Sequence, residues 1–206
     1  MQDGVNRNMM ELIHAICLPG QRQFDGWMIG KARYCRYNLK VPVSYRSEQK
    51  KASSRWGVLE TFAYDEEGAV CQSLEIFLLK PHRPAGTARP PAEMSHPSAG
   101  QLGECESVIR CTHGSLQEFL RCSGDANSIH RGSCAVVPGL WILNCLKDMY
   151  CPVGGGLELS IRFLEPVYTG QDICLGTLGP GPSGNRISGS IQGRTCFTLT
   201  VNHTIS

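Results

Sequence analysis

Apolar and polar residues alternate most cleanly between Cys35 and Arg46. Cys35, Tyr37, Leu39, Val41, Val43 and Tyr45 are apolar, and Arg36, Asn38, Lys40, Ser44 and Arg46 between them are polar. A period of two predicts a strand with one buried face. Ahead of it, the spacing of Met10, Ile13 and Cys17 predicts a helix that stops at Pro19-Gly20. Behind it, a basic loop with Lys50, Lys51 and Arg55 leads to two strand-like runs, Trp56 to Tyr64 and Ala69 to Leu79. These flank Asp65-Glu66-Glu67-Gly68, good chemistry for a hairpin turn.

From Pro81 to Gly103 the pattern vanishes into PHRPAGTARPPAEMSHPSAGQLG, which contains five prolines and reads as a linker. The chain therefore divides into 1–80, a linker at 81–103, and 104–206. The second part predicts a strand at Glu104 to Cys111, then a short helix from Leu116 to Cys122, with Ser115 and Glu118 as a capping box. The polar loop SGDANSIHRGS follows. After Gly139, LWILNCLKDMY is apolar around most of its circumference, as expected of a helix enclosed by a sheet. Strands are predicted over Leu157 to Phe163, Asp172 to Leu178, Asn185 to Gln192 and Arg194 to His203. The stretches NLKVPVSYRSE (Asn38 to Glu48) and SIRFLEPVYTGQ (Ser160 to Gln171) share a pattern and a Pro-Val step, and each follows a helix and precedes a hairpin. Two copies of one unit, a helix laid on an antiparallel sheet, account for this economically. The first copy lacks the leading strand and the polar loop.

Of the 206 residues, 41% are hydrophobic and 18% charged, enough for a folded core, and the net charge of +2 argues against a dedicated nucleic-acid binder. No apolar run reaches the roughly 18 residues of a membrane span, and the first twenty lack the features of a signal peptide, so a cytoplasmic location is expected. The eleven cysteines are odd in number and form no C-x-x-C pair. Reduced, mostly buried thiols are expected, with no metal site. Asn202-His203-Thr204 matches a glycosylation sequon, which carries little weight without an export signal.

Acid, amide and imidazole gather in one place, Gly124-Asp125-Ala126-Asn127-Ser128-Ile129-His130. An Asp-x-Asn segment after glycine is by itself most often a turn bonding its own backbone, and a lone loop histidine is most often structural. Here, however, the loop resembles the G-D-x-N-x-x-H signature of the MaoC-like hydratases and dehydratases, the (R)-specific enoyl thioester hydratases with a hot-dog fold. Gly139, in Val137-Pro138-Gly139-Leu140, matches the glycine that opens their central helix. Arg162 to Asp172 looks like their following strand and turn. The resemblance extends from about Glu104 to the C terminus and is weak before Lys80. It implies an α+β double hot-dog fold and hydration of a trans-2-enoyl thioester, or dehydration of a (R)-3-hydroxyacyl thioester.

Adding water across an enoyl thioester needs a base for the water, an acid for the α-carbon and stabilisation of the thioester oxygen. The resemblance implies that Asp125 and His130 share one water, that Asn127 orients this water or a neighbouring side chain, and that the Gly139 N–H faces the enolate oxygen. No metal or separate cofactor is implied, because the substrate arrives as a coenzyme A or acyl carrier protein thioester. The partners expected are that substrate and its carrier, not nucleic acid or membrane, for a chain that is a monomeric pseudodimer or a homodimer. Three features depart from the pattern. Ser128 replaces a usual proline, only eight residues separate His130 from Gly139, and Pro138 removes a backbone donor beside the oxyanion position. The shortened segment predicts a pocket that is more open or is shaped for an unusual substrate.

Other residues have a structural and a functional reading. His14 is expected to pack as a helix residue and Trp141 to join the core, with an acyl tunnel as the latter's alternative. Lys50, Lys51, Arg55, Arg83 and Arg89 read first as solvated charges, and second as contacts for coenzyme A phosphates or an acidic carrier. Two rival functions remain open: a hot-dog thioesterase, and a non-catalytic module that binds an acyl carrier.

Overall fold

The computed structural model describes residues 3–17, 23–81, 105–151, 155–181 and 184–204. The proline-rich linker, apart from Pro81, and Arg83 and Arg89 within it, lie outside the described residues, as does the Pro19-Gly20 helix stop. In chain order the elements are α1 (Asp3–Cys17), β1 (Met28–Arg36), β2 (Ser44–Ala52), β3 (Trp56–Tyr64), β4 (Val70–Leu79), β5 (Ser107–Arg110), α2 (His113–Ser123), a 3-10 turn (Ser128–His130), α3 (Gly139–Tyr150), β6 (Gly156–Phe163), β7 (Asp172–Gly181), β8 (Gly184–Ile191) and β9 (Arg194–Thr204).

All nine strands form one antiparallel sheet in the order β2-β3-β4-β1-β6-β9-β8-β7-β5. The order repeats about the β1–β6 seam: β1, β2, β3 and β4 on one side occupy the places of β6, β7, β8 and β9 on the other. At the seam Ala32 pairs with Ile161 and Tyr34 with Leu159, all four buried. Their neighbours Arg33 and Glu158 point the other way and form an ion pair at 2.7 Å, because successive side chains of a strand alternate between faces. The buried face meets α1 and α3. Leu140, Ile142, Leu143 and Leu146 of α3 and Leu12, Ile13 and Ile16 of α1 are at most 2% exposed. This is the α+β hot-dog arrangement, a sheet wrapped around its helices.

Most predicted elements occupy their predicted places, but the cleanest strand signal does not. β1 ends at Arg36 and β2 begins at Ser44, so the alternation from Cys35 to Tyr45 crosses a loop. Asn38 turns the chain by accepting the Lys40 N–H at 2.9 Å, and Pro42 has no N–H to give a ladder. Lys50 and Lys51, expected in a loop, lie on β2, where Lys50 pairs with Glu48 and Glu60. The β3–β4 hairpin forms as expected, with Asp65 Oδ1 accepting the N–H groups of Glu67 and Ala69.

Two smaller corrections follow from side-chain partners. The capping box of α2 is made by Thr112 and Ser115, which exchange bonds with each other's backbone N–H, while Glu118 pairs with Arg121. Cys105 and Cys174 form a disulfide, against the expectation of reduced thiols throughout, because the β5–β7 pairing brings their Cα atoms within 5.5 Å. None of the described helices is long and apolar enough to cross a membrane.

Candidate active site

The polar loop begins where α2 ends. Gly124 takes the left-handed conformation (φ 67°) that closes this helix, and its N–H bonds the Leu120 carbonyl. The chain then turns on its own side chains: Asp125 Oδ1 accepts the Asn127 N–H at 3.0 Å. This is the turn chemistry expected of Asp-x-Asn, yet it leaves Asp125 Oδ2 directed at His130, 3.5 Å from Nε2.

His130 closes the 3-10 turn and is 6% exposed. Its Nδ1 donates to the Val136 carbonyl at 2.7 Å. A carbonyl can only accept, so this bond fixes the neutral tautomer with its proton on Nδ1 and its lone pair on Nε2. Burial holds the imidazole below the ordinary histidine range, against the opposing pull of the Asp125 carboxylate and the Val136 carbonyl.

The short segment after His130 makes this bond. Val136 N–H returns to Ile129 O at 2.9 Å, Val136 pairs with Tyr168, and Val137 N–H bonds Val167 O. Val136 and Val137 are buried and line the cavity beside the imidazole.

Asn127, expected to orient the water or a neighbouring catalytic side chain, bonds the backbone of the first half. Its Oδ1 accepts the Gly26 N–H at 2.9 Å, and its Nδ2 donates to the Trp27 carbonyl at 2.8 Å. Beside it, Asp25 Oδ1 accepts the Ser128 N–H at 2.7 Å, which holds the Asp25 carboxyl below the usual carboxylate range. The loop of the second half is thus tied by three bonds to the segment entering β1 of the first. Sequence reasoning missed Asp25, Gly26 and Trp27. An Asp-Gly step before a strand is so common in turns that only the tie itself distinguishes it.

Gly139 is the first residue of α3. Its N–H and that of Leu140 lie ahead of the first bonds of the helix, which the Trp141 and Ile142 N–H groups make to the Pro138 carbonyl, and Pro138 supplies no side-chain cap. Pro138 removes its own amide but leaves those of Gly139 and Leu140. A Cβ on Gly139 would lie 2.9 Å from the Phe163 ring, so glycine is what lets this helix end approach β6.

Asp125, Asn127, His130 and Gly139 line one cavity of about 100 Å³, several times the space one water needs. Its other walls are apolar and come from both halves of the chain, including Ile16, Trp27 and Leu78 from the first and Leu140, Ile142 and Phe163 from the second. Cys17 also reaches it, with burial and then the Asp125 charge pushing its thiol up. Glu165 sits at its edge, paired with Arg194 at 2.9 Å. Trp141 is packed against the core and is not among the lining residues. His14 donates from Nδ1 to the Ser123 carbonyl at 3.1 Å and joins α1 to α2. Among the described residues no cluster of three or more potential metal ligands occurs.

No protein-family model matches the chain, and no curated protein matches it by sequence. Solved structures do. HtdX from Mycobacterium tuberculosis is 16% identical with a TM-score of 0.64, over 98% of this chain and 96% of that one. A MaoC-like dehydratase is 13% identical with a TM-score of 0.62, over 98% and 84%. The 12:0-ACP thioesterase from Umbellularia californica is 10% identical with a TM-score of 0.56, over 97% and 89%. At such identities likeness carries the architecture and not the chemistry, and the architecture that this chain shares with all three is the hot-dog fold.

Proposed function

We propose that the chain hydrates a trans-2-enoyl thioester, or in reverse dehydrates a (R)-3-hydroxyacyl thioester, presented on coenzyme A or an acyl carrier protein. The observation that carries this reading is the pair of buried His130 and half-buried Asp125. A neutral imidazole lone pair faces a carboxylate at the inner wall of an apolar cavity, beside a helix N terminus. A MaoC-like dehydratase shares the fold in which this pair is set.

In the forward direction one water donates a hydrogen bond to His130 Nε2 and another to Asp125 Oδ2, from beside the pair. Nε2 takes a proton from it as the oxygen forms a bond to C3, and the C2–C3 π electrons move onto the thioester oxygen as an enolate. The Gly139 N–H at the start of α3 faces that negative charge. Asp125 stabilises the imidazolium formed in the same step, which then gives its proton to C2 as the enolate collapses. Water has been added, and His130 is neutral again. The bond from Nδ1 to the Val136 carbonyl keeps the ring oriented throughout. Asn127 is a positioning residue that holds the loop in place.

A thioesterase is the second reading, supported by likeness to the 12:0-ACP thioesterase, since an activated water and a helix N terminus also suit attack on a thioester carbonyl. The two differ in product. Purified protein incubated with crotonyl coenzyme A is expected to lose enoyl absorbance without releasing free thiol, in a reaction that requires Asp125. Thiol release that requires Asp125 would replace the hydratase by the thioesterase. Binding of acyl carrier protein with turnover of neither carrier-linked nor coenzyme A substrates would leave a non-catalytic carrier-binding module.

A further inference from the structure

The cavity extends sideways from the catalytic pair under three strands of the first half. Ile29 lies against Gly139 at the start of α3, with its Cβ 3.5 Å from the Cβ position there. Along the sheet, Ile29 of β1 pairs with Leu78 of β4, and Leu78 pairs with Gly57 of β3. Two strand spacings separate Ile29 from Gly57, about 10 Å. At the Gly57 end the path is covered by one ring. A Cβ on Gly57 would lie 2.8 Å from Phe24 Cε1 and 3.0 Å from Cζ, so the Phe24 ring is seated on the bare backbone of this glycine. The ring is 5% exposed and packs edge-on against Trp27, with centroids 5.0 Å apart and planes at 73°. Phe24, Trp27 and Leu78 all line the cavity.

We propose that Phe24, seated on Gly57, closes the far end of the cavity and sets the longest acyl chain that the site admits. This rests on the acyl-thioester reading above. A tail entering past Ile29 and Leu78 buries methylenes until it meets the ring, and further carbons find no space. The ring is held from two sides, by glycine beneath and by Trp27 at its edge. Its removal therefore opens the path toward the outer strands of the first half.

Calorimetric titration with saturated acyl coenzyme A thioesters of increasing length, from butanoyl to dodecanoyl, tests this without requiring turnover. Wild-type affinity is expected to rise about fourfold per added methylene up to a limit and then to stop rising. Phe24→Ala moves the limit to chains longer by roughly two carbons or more, and Phe24→Leu, which keeps the site filled in part, moves it the same way by less. Gly57→Ala forces the ring off its seat and lowers affinity near the wild-type limit. An unchanged limit in a Phe24→Leu protein that melts as wild type overturns the role of the ring while leaving the thioester reading intact. Failure of the wild type to bind any acyl thioester, when it melts cooperatively, overturns both.

Discussion

The two halves repeat one unit, yet the same stretch behaves oppositely in each. After β6, the segment with Pro166-Val167 is drawn inward: Val167 and Tyr168 are 3% and 8% exposed, and Tyr168 pairs with Val136. After β1, the matching segment with Pro42-Val43 stays outside, and Leu39, Val41 and Val43 are all more than half exposed. The difference lies in what is available to pack against. The second half has a connector between its polar loop and α3, which carries Val136 and Val137 under the turn. The first half has no counterpart among the described residues. The loop and connector of the second half together deliver the histidine, orient it through Val136 and bury the turn beneath it. The first half contributes apolar wall and anchoring backbone.

The strongest break in this comparison removes the chemistry from the half that carries it. If the proton-transfer pair belongs to the second half alone, Asp125→Asn and His130→Ala each lower turnover of an enoyl thioester by about two to four orders of magnitude with an unchanged fold. Circular dichroism and a steady-state assay check this together. Full turnover in either well-folded variant removes the pair from the mechanism.

Next in size is the tie between the halves. Asn127→Leu leaves the Gly26 N–H and the Trp27 carbonyl without their partner, and a buried backbone group left unpaired costs about 1–3 kcal/mol. A lowered melting temperature is expected together with a fall in kcat, because the loop carrying Asp125 and His130 loses its anchor to β1. An unchanged kcat with the same loss of stability would confine Asn127 to folding.

The acid limb of stability sharpens the comparison further. The unfolded chain protonates this histidine near the ordinary value of 6.5. Burial keeps the folded site unprotonated to lower pH. Within that window the unfolded state binds more protons, so stability falls as pH drops below about 6.5 and continues to fall until the folded imidazole protonates. Above the window this contribution is constant. Thermal melts of wild type and His130→Gln from pH 8 to 5 are expected to diverge on the acid side, with the variant declining less. Parallel curves would mean that His130 is not held neutral by burial.

The fold was legible because local patterns and long-range packing agree along most strands and in α3, whose all-round apolar surface announced a surrounding sheet. Where they disagree, periodicity misled. Tyr37 to Val43 alternates like a strand, but Asn38 and Pro42 break the ladder locally, and nothing in the alternation carries this information. At the site, the triplet of Asp125, Asn127 and His130 marked the loop that the structure brings to the cavity with Gly139. The partners of Asn127 were hidden because they are backbone groups about a hundred residues away. The sequence gives Asn127 a water or a neighbouring side chain to orient, and nothing in it points to the Gly26 and Trp27 backbone groups that its side chain bonds. Val136 gives no hint that its carbonyl sets a histidine tautomer.

The smallest expected effect belongs to Asp25, the first-half carboxylate that reaches into the second-half loop. It accepts the Ser128 N–H at the start of the 3-10 turn, a position where loss of an acceptor typically costs about 0.5–1.5 kcal/mol. Asp25 is exposed, so water replaces part of the lost bond and the lower end applies. Asp25→Ala is therefore expected to lower the melting temperature by only about 1–2 °C. Asp25→Asn, which retains a side-chain oxygen, restores most of the difference at neutral pH. The native carboxyl is held below the usual carboxylate range by the Ser128 N–H, so its contribution is present above that range and is lost as pH falls through it. The gap between wild type and Asp25→Ala thus closes in acid, while the amide variant keeps its bond at any pH. A gap that persists at the same size below the carboxylate range would show that Asp25 supports the loop by packing, and the anchoring of the second half by the first would then rest on Asn127 alone.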